Sequence, residues 1–512
     1  MTKILSAAHF GLKTVPIEVE VNVSKKGFPG FTIIGLADKA VEEAKERVKT
    51  ALANSGIELP PLKIIVNLAP ADLPKEGSYY DLPIAIGILH SLEMVQLPPE
   101  KSFYYGELSL DGNLRHSTGV LLLAIAAKEH GIKNVFVPQL SANEGAIVKG
   151  ISVYPVCSLK QLITHLMSVE LILPLEYTAA TDGEETGIVE FDFCEILGQD
   201  QAKRALEIAA AGGHNILLQG SPGSGKTMLA RALPGILPPL NDEESLEVTK
   251  IYSASGNIPP GGSLITTRPF RASHHTTSRA GLIGGGSPPH PGEISLAHCG
   301  VLFLDEFPEF PRMTLEALRQ PLEDGEVSIS RATGIMKFPC QFMLVAAANP
   351  CPCGYLGDPK KECRCSPRQI LHYQSKLSGP LLDRIDLHLN VPAVDVDKLL
   401  PNRNSNVTST AEKSEQIRKR VVAARELQNK RFKNTGVHTN ANMKNKHIKQ
   451  FCRLNDAAYS LLKQAVNNYN LSARTYFRII KVSRTIADLN QEEEITETHI
   501  AEALQYRLRV QQ

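Results

Sequence analysis

The chain has 512 residues, 43% hydrophobic and 21% charged, a globular balance that excludes wholesale disorder and predicts three or four domains. No apolar run approaches ~18 residues, His9 and Lys13 interrupt the opening MTKILSAAHFGLK before a secretory core could form, and nine cysteines are an odd number; a cytoplasmic protein with no membrane contact and no disulfide scaffold is expected. The net charge of +1 hides an asymmetry, because residues 401–512 carry 20 Lys and Arg against 10 Asp and Glu while the rest carry 35 against 44.

Residues 16–23 and 31–36 read as strands. Asp38 to Ser55 reads as an amphipathic helix with Val41, Ala44, Val48 and Leu52 on one face. Residues 63–70 are a further strand. Ile84 to Leu92 and Gly119 to His130 read as buried helices, and residues 134–138 as a strand end. These elements predict an α+β domain over 1–168. A linker is expected over 169–192, where Glu176 to Glu190 is rich in Thr, Asp, Glu and Gly. From 193 to 397 a helix (199–213), a short buried strand (214–220) and further alternation predict a doubly wound parallel sheet. Basic helices are expected over 410–512. Their charge suits a polyanion, unless it only solvates helical faces.

The sharpest motif is Gly220-Ser221-Pro222-Gly223-Ser224-Gly225-Lys226-Thr227, between a strand and a helix. This is P-loop spacing. Glycines let backbone N–H groups wrap phosphate oxygens, Lys226 reaches the β- and γ-phosphates, and the Thr227 hydroxyl ligates Mg²⁺. The apolar strand 301–304 ends in Asp305-Glu306. Paired carboxylates there fit a Mg²⁺ partner (Asp305) and a general base that polarises water (Glu306). A third apolar strand ends at Asn349, placed to orient that water; the following Pro350 makes plain turn chemistry the alternative.

The order of P-loop, Asp-Glu, terminal Asn and then Gly379-Pro380-Leu381-Leu382-Asp383-Arg384-Ile385-Asp386 resembles an AAA+ ATPase. Arg268-Pro269-Phe270-Arg271, His274-His275-Thr276, Gly284-Gly285-Gly286 and Pro291-Gly292-Glu293-Ile294-Ser295-Leu296-Ala297-His298 narrow the resemblance to the magnesium-chelatase-like group and, within it, to the ComM/YifB competence-associated family. The likeness covers essentially the whole chain. It implies a hexameric ATP-driven DNA translocase or helicase promoting branch migration in recombination and natural transformation, with a recombinase or loading partner. It also implies that Arg384 is an arginine finger acting on the neighbouring subunit's nucleotide, a surface ion pair with Asp383 or Asp386 being the plainer alternative. Arg474, after Ser472-Ala473, resembles the lid arginine that contacts nucleotide in cis. Arg268, Arg271, His274, His275 and Arg279 suit a loop facing a phosphodiester backbone. By family likeness that loop, and Arg331 and Lys337 in an expected hairpin over 326–338, would line the central pore of the ring, an ordinary structural role being the alternative for either.

Residues 1–168 resemble the ribosomal-S5-like fold of the Lon protease domain, through GELSLDGNLRHSTGVLLLAIAAKEHGI (106–132). A Ser–Lys protease needs a nucleophile and a lysine base. Here Tyr79 occupies the serine position, with Ser78 one residue early, and Leu121 the lysine position. An inactive domain, serving assembly or DNA contact, is expected. Cys351, Cys353, Cys363 and Cys365 place four thiols in fifteen residues; Zn²⁺, free reduced thiols and a redox role are the three readings. A magnesium-chelatase motor subunit that remodels a protein partner is the competing function. An ATP-dependent protease is disfavoured by Tyr79 and Leu121, and a non-hydrolysing switch by Glu306 and Arg384.

Overall fold

The computed structural model describes residues 1–177, 190–286, 289–331, 334–393 and 412–507. They form two compact units: Met1–Glu184 with Asn241–Thr266 and Ser330–Phe338, and Glu185–Leu240 with Thr267–Ile329 and Pro339–Gln512.

In the first unit a strand that the pattern reading left unassigned, β1 (Thr2–Phe10), pairs antiparallel with β2 (Lys13–Ser24) along its length. Ile4, Ser6, Ala7 and Ala8 of β1 are all buried, so its two faces do not alternate in polarity. β3 (Gly30–Ile34) and β4 (Lys63–Ala69) follow, then β5 (Ser102–Tyr104), the short antiparallel pair β6 (Glu107–Leu108) and β7 (Leu114–Arg115), β8 (Asn134–Pro138) and β9 (Ser152–Val156). The main sheet runs β3-β4-β2-β1-β5-β8-β9. β2 is antiparallel to both neighbours, whereas β1-β5-β8-β9 and β3-β4 run parallel.

Helix Lys39–Asn54 starts because the Asp38 carboxylate accepts from the Val41 amide at 2.8 Å, and it buries Val41, Ala44, Val48, Ala51 and Leu52. The next helix begins at Asp81, three residues earlier than its apolar run. Asp81 is buried but held by two hydrogen bonds from Arg47, at 2.7 and 3.0 Å.

Residues 241–266, expected inside the 193–397 core, fold with the N-terminal unit. Helix Asp242–Ser255 opens on a reciprocal cap between Asn241 and Glu244. Its Ser253 hydroxyl donates to the buried Glu144 carboxylate at 2.8 Å. Burial pushes the Glu144 carboxyl up to about 7. Of the expected linker, Leu175 bridges to Val153 while 178–189 lie outside the described residues.

The second unit holds β10 (Ile216–Gln219), β11 (Phe270–Ser273), the ladder β12 (Gly284–Gly285) with β13 (His290–Pro291), and β14 (Val301–Leu304). The expected hairpin follows as β15 (Glu326–Arg331) with β16 (Gly334–Pro339); its Ser330–Phe338 stretch groups with the first unit. β17 (Met343–Ala348) and β18 (Leu387–Asn390) complete the strands. The sheet order is β11-β14-β17-β10-β18, every pair parallel, as the doubly wound reading expects. Parallel register brings Gln219, Leu304 and Ala348 to one end, so the loops after β10, β14 and β17 gather there.

Helix Asp200–Gly212 and the C-terminal helices Ser414–Arg431, Asp456–Tyr469, Ala473–Leu489 and Glu497–Gln505 share one apolar cluster with this sheet. Part of the C-terminal positive charge is already paired within the chain. Asp488, fully buried, accepts from Arg431 and Asn440 at 2.8 Å and from Arg484 at 3.1 Å. Arg420 pairs with Glu207 and Glu412, and Arg425 caps the Ala210 carbonyl. The basic composition therefore overstates the free cations. Lys433, Lys444, Lys446, Lys449, Arg453 and Lys463 are among those left exposed. Among the described residues, no helix is long and apolar enough to cross a membrane.

Candidate nucleotide site

β10 is buried through Leu218 and delivers the chain into Gly220–Thr227, which turns directly into helix Lys226–Ala232. Gly220 is required by space, since a Cβ there would lie 2.2 Å from the Val391 carbonyl oxygen. Gly223 and Gly225 adopt φ of +80° and +88°. Lys226 is only 8% exposed. Its ammonium donates to the carbonyls of Gly220 at 2.8 Å and Ser221 at 2.9 Å, and to Asn349 Oδ1 at 3.3 Å. Burial lowers its pKa, against the pull of Asp305. The ammonium is thus held over the loop it serves, with Asn349 beside it.

The Thr227 hydroxyl donates to Asp305 Oδ2 at 2.8 Å, and Asp305 Oδ1 accepts from the Glu306 amide at 2.9 Å. A hydroxyl and a carboxylate in contact at a strand end are the hard oxygen donors that Mg²⁺ takes, so Thr227 and Asp305 fit that ion. Glu306 sits at φ +49°, a left-handed conformation costly for a residue with a Cβ. Its carboxylate turns to the loop after β11. There His275 Nδ1 lies 2.9 Å from Glu306 Oε2, out of line for a hydrogen bond. His274 packs on His275 with ring centroids 4.0 Å apart.

The remaining candidates divide. Arg268 spends its guanidinium on the carbonyls of Pro238 at 2.8 Å, Cys299 at 2.6 Å and Pro239 at 3.3 Å. Arg271 forms a two-pronged pair with Glu293 at 2.7 and 2.8 Å. Both hold the loop in place and, in this conformation, are not presented to a phosphate backbone. That is the ordinary structural role that stands as the alternative to facing a phosphodiester. Arg279 and Lys337 are exposed, while the Arg331 side chain lies outside what the structure describes.

Arg384 is tied within its own chain, to Glu323 and to the Pro380 carbonyl at 2.7 Å. Its partner is neither Asp383 nor Asp386. Arg474 is exposed at the start of helix Ala473–Leu489 and has no hydrogen-bond or ion-pair partner among the described residues.

One turn on, Arg478 reaches the Arg384 carbonyl at 3.1 Å and pairs with Asp386. Asp386 is fully enclosed. Burial opposes its charge, yet Arg478 and His214 hold it well below the usual carboxylate range. His214 Nδ1 faces Asp386 at 3.3 Å, and His214 Nε2 bonds the Thr485 hydroxyl at 2.8 Å. This network joins the sheet to the C-terminal helices at the end of β10 and β18 opposite the P-loop. Its sequence signal was Asp386 at the mouth of an apolar strand and an arginine four residues after Arg474.

The four cysteine sulfurs all lie within 4.8 Å of one another. Backbone amides of Tyr355 and Arg364 lower the Cys353 thiol, whereas Cys363, despite the Cys365 amide, is raised by desolvation and by its sulfur neighbours. In the N-terminal unit Tyr79 and Leu121 stand where the resemblance puts the serine and the lysine of a protease. Tyr79 stacks on Tyr105 with centroids 4.4 Å apart, and Leu121 is fully buried. The Ser78 hydroxyl donates to Glu107, while the buried Lys75 donates to the Pro70 carbonyl.

A P-loop, an Asp-Glu strand end and a terminal Asn on adjacent parallel strands, with a helical domain behind, define an AAA+ nucleotide-binding protein. Residues 192–399 match the family described as magnesium chelatase, subunit ChlI; residues 19–141 match subunit ChlI of Mg-chelatase, and 411–507 the ChlI C-terminal family. The chain is 44% identical to "Competence protein ComM" of Haemophilus influenzae over 99% of its own length and 97% of that protein. It is 44% identical to the Escherichia coli protein YifB over 98% and 96%. A 58-residue stretch is 41% identical to the archaeal Lon protease of Archaeoglobus fulgidus, covering 11% of this chain and 9% of that one. The chain belongs to the ComM/YifB family of magnesium-chelatase-like AAA+ proteins.

Proposed function

We propose that the protein is a cytoplasmic ATP hydrolase that works as a homo-hexameric DNA translocase or helicase, promoting branch migration during recombination and natural transformation. The observation that carries hydrolysis is the convergence of Lys226, Asn349, Thr227, Asp305 and Glu306 at one end of the parallel sheet. The similarity to a protein named for competence supports DNA as the substrate.

In this reading residues 1–168 are a proteolytically inactive platform, 169–192 a linker, 193–397 the motor core and 410–512 the lid. ATP binds over Gly220–Thr227, where Lys226 exchanges its carbonyl partners for the β- and γ-phosphates. Thr227 and Asp305 would hold Mg²⁺, which when bound neutralises charge on the phosphate oxygens. Glu306 takes the proton of the attacking water, and Asn349 orients that water. Arg474 contacts the nucleotide in cis. Arg384 exchanges Glu323 for the γ-phosphate bound by the neighbouring subunit. Arg279, His274, His275, Arg331 and Lys337 line the DNA path, and a recombinase or loading factor delivers the branched DNA.

A chelatase-type motor acting on a protein partner is the second reading, favoured by the ChlI match over the core. Unwinding of forked and three-stranded DNA by wild type and Glu306→Gln separates the two. ATP-dependent unwinding by the wild type alone supports the DNA motor. Hydrolysis without DNA binding or unwinding rejects it.

A further inference from the structure

We infer that Cys351, Cys353, Cys363 and Cys365 form a closed structural Zn²⁺ site, and that this site braces the outer wall of the P-loop. The sulfurs of Cys351, Cys353 and Cys363 form a near-equilateral triangle, with separations of 3.4, 3.6 and 3.6 Å. Four thiolates at about 2.3 Å around one ion stand roughly 3.8 Å apart, close to this spacing. A disulfide would bring two sulfurs to about 2.0 Å, and none is formed. The Cys353 amide donates to the Cys365 sulfur at 3.4 Å. Such N–H to sulfur bonds disperse negative charge on ligating thiolates and fix their direction. Four protein ligands leave no open coordination position, which makes the site structural.

The chain needs this ion. Between β17 and helix Pro367–Ser375 its described residues form no helix or strand, and Tyr355 and Leu356 are the large apolar residues of the segment. A loop of that length and composition has little core with which to order itself. Metal binding supplies the missing free energy.

The ordered loop has work to do at the nucleotide site. Gly354, at φ +84°, abuts Pro222 so closely that a Cβ would lie 2.5 Å from the proline Cδ. Four residues further on, the Asp358 carboxyl is lowered by the Lys360 amide and by the nearby Ser221 hydroxyl. Two P-loop residues therefore rest on the cysteine loop, and the first thiol lies two residues after Asn349.

The test uses the full chain, purified in reductant without chelator. Elemental analysis should find one zinc per chain, released as a mercurial titrates the thiols. Replacing zinc with cobalt should give the intense visible bands of a tetrahedral thiolate site. Cys353→Ser and Cys363→Ser should each lose the metal. A folded chain that takes up neither zinc nor cobalt after reloading in reductant overturns the site. The bracing role rests on the nucleotide reading and is tested separately: stripping the metal should weaken binding of a fluorescent ATP analogue severalfold, with recovery on adding zinc. Unchanged nucleotide affinity in metal-free protein overturns the brace and leaves the metal site standing.

Discussion

His275 Nδ1 lies 2.9 Å from Glu306 Oε2 because β11 and β14 are neighbours and each ends in the residues that lead to one of the pair. In the proposed mechanism, a carboxylate held beside this imidazole is not free to take a proton from water at the γ-phosphate. His275→Ala should therefore raise ATP hydrolysis in the absence of DNA severalfold. Glu306→Gln should lower turnover by about 10²–10⁴-fold while ATP still binds. Steady-state hydrolysis without DNA measures both, and an unchanged His275→Ala rate removes the restraining role.

Lys226 and Asn349 touch, yet they should separate kinetically. Lys226→Ala removes the only side-chain cation placed over the loop by a described contact, and nucleotide binding should be lost. Asn349→Ala should bind ATP nearly normally and lower kcat on the order of 10²-fold. Titration with a fluorescent nucleotide, beside kcat, distinguishes them.

Arg384 is paired with Glu323 in its own chain. Glu323→Ala should leave hydrolysis intact or faster, because it frees the guanidinium. Arg384→Ala should lose about 10³-fold or more in kcat, the usual effect of removing such a finger. If the finger acts in trans, mixing Arg384→Ala with Glu306→Gln subunits should restore part of the activity, since some interfaces then hold one intact partner of each kind. No recovery on mixing would refute action in trans.

Glu144 gives a pH dependence. Its folded pKa, about 7, stands above the unfolded 4.5, so the folded state binds the extra proton between those values. Stability from this group is full below about 4.5 and is lost as pH rises through 7, by at most about 3 kcal/mol. Glu144→Gln, whose amide oxygen can still accept from Ser253, should flatten that slope and raise the urea midpoint at pH 8. An unchanged slope between pH 5 and 8 would refute the assignment.

Asp386 neutralises Arg478 and faces the buried His214. Asp386→Ala leaves those groups without their anion and should cost about 3 kcal/mol in chemical unfolding. His214→Gln, which removes one partner but leaves the ion pair, should cost less.

The convergence of the candidate nucleotide-site residues was legible because each motif is local in sequence. Gly220 to Thr227, Asp305-Glu306 and Asn349 each follow an apolar strand, and a parallel sheet brings strand ends together. Helix Lys39–Asn54 was legible for a similar reason, since its buried face repeats at helical spacing. β1 was not, because a strand buried on both faces shows no alternation. The fate of the arginines was hidden for a different reason. Arg268 and Arg271 look identical to free cations in the sequence, and the carbonyls and carboxylate that occupy them lie 22 to 31 residues away. Arg478 and His214 escaped notice because their common partner, Asp386, is reached only through the fold.

The interleaving of the two units sets an order on synthesis. The N-terminal unit includes Asn241–Thr266 and Ser330–Phe338, so it cannot be finished when residue 168 leaves the ribosome. At 5–20 residues per second, the wait for its last piece is on the order of ten seconds. For much of that wait Glu144 lacks Ser253. A gene fragment ending near residue 168 would yield the nascent, unfinished form of this unit rather than an independent module.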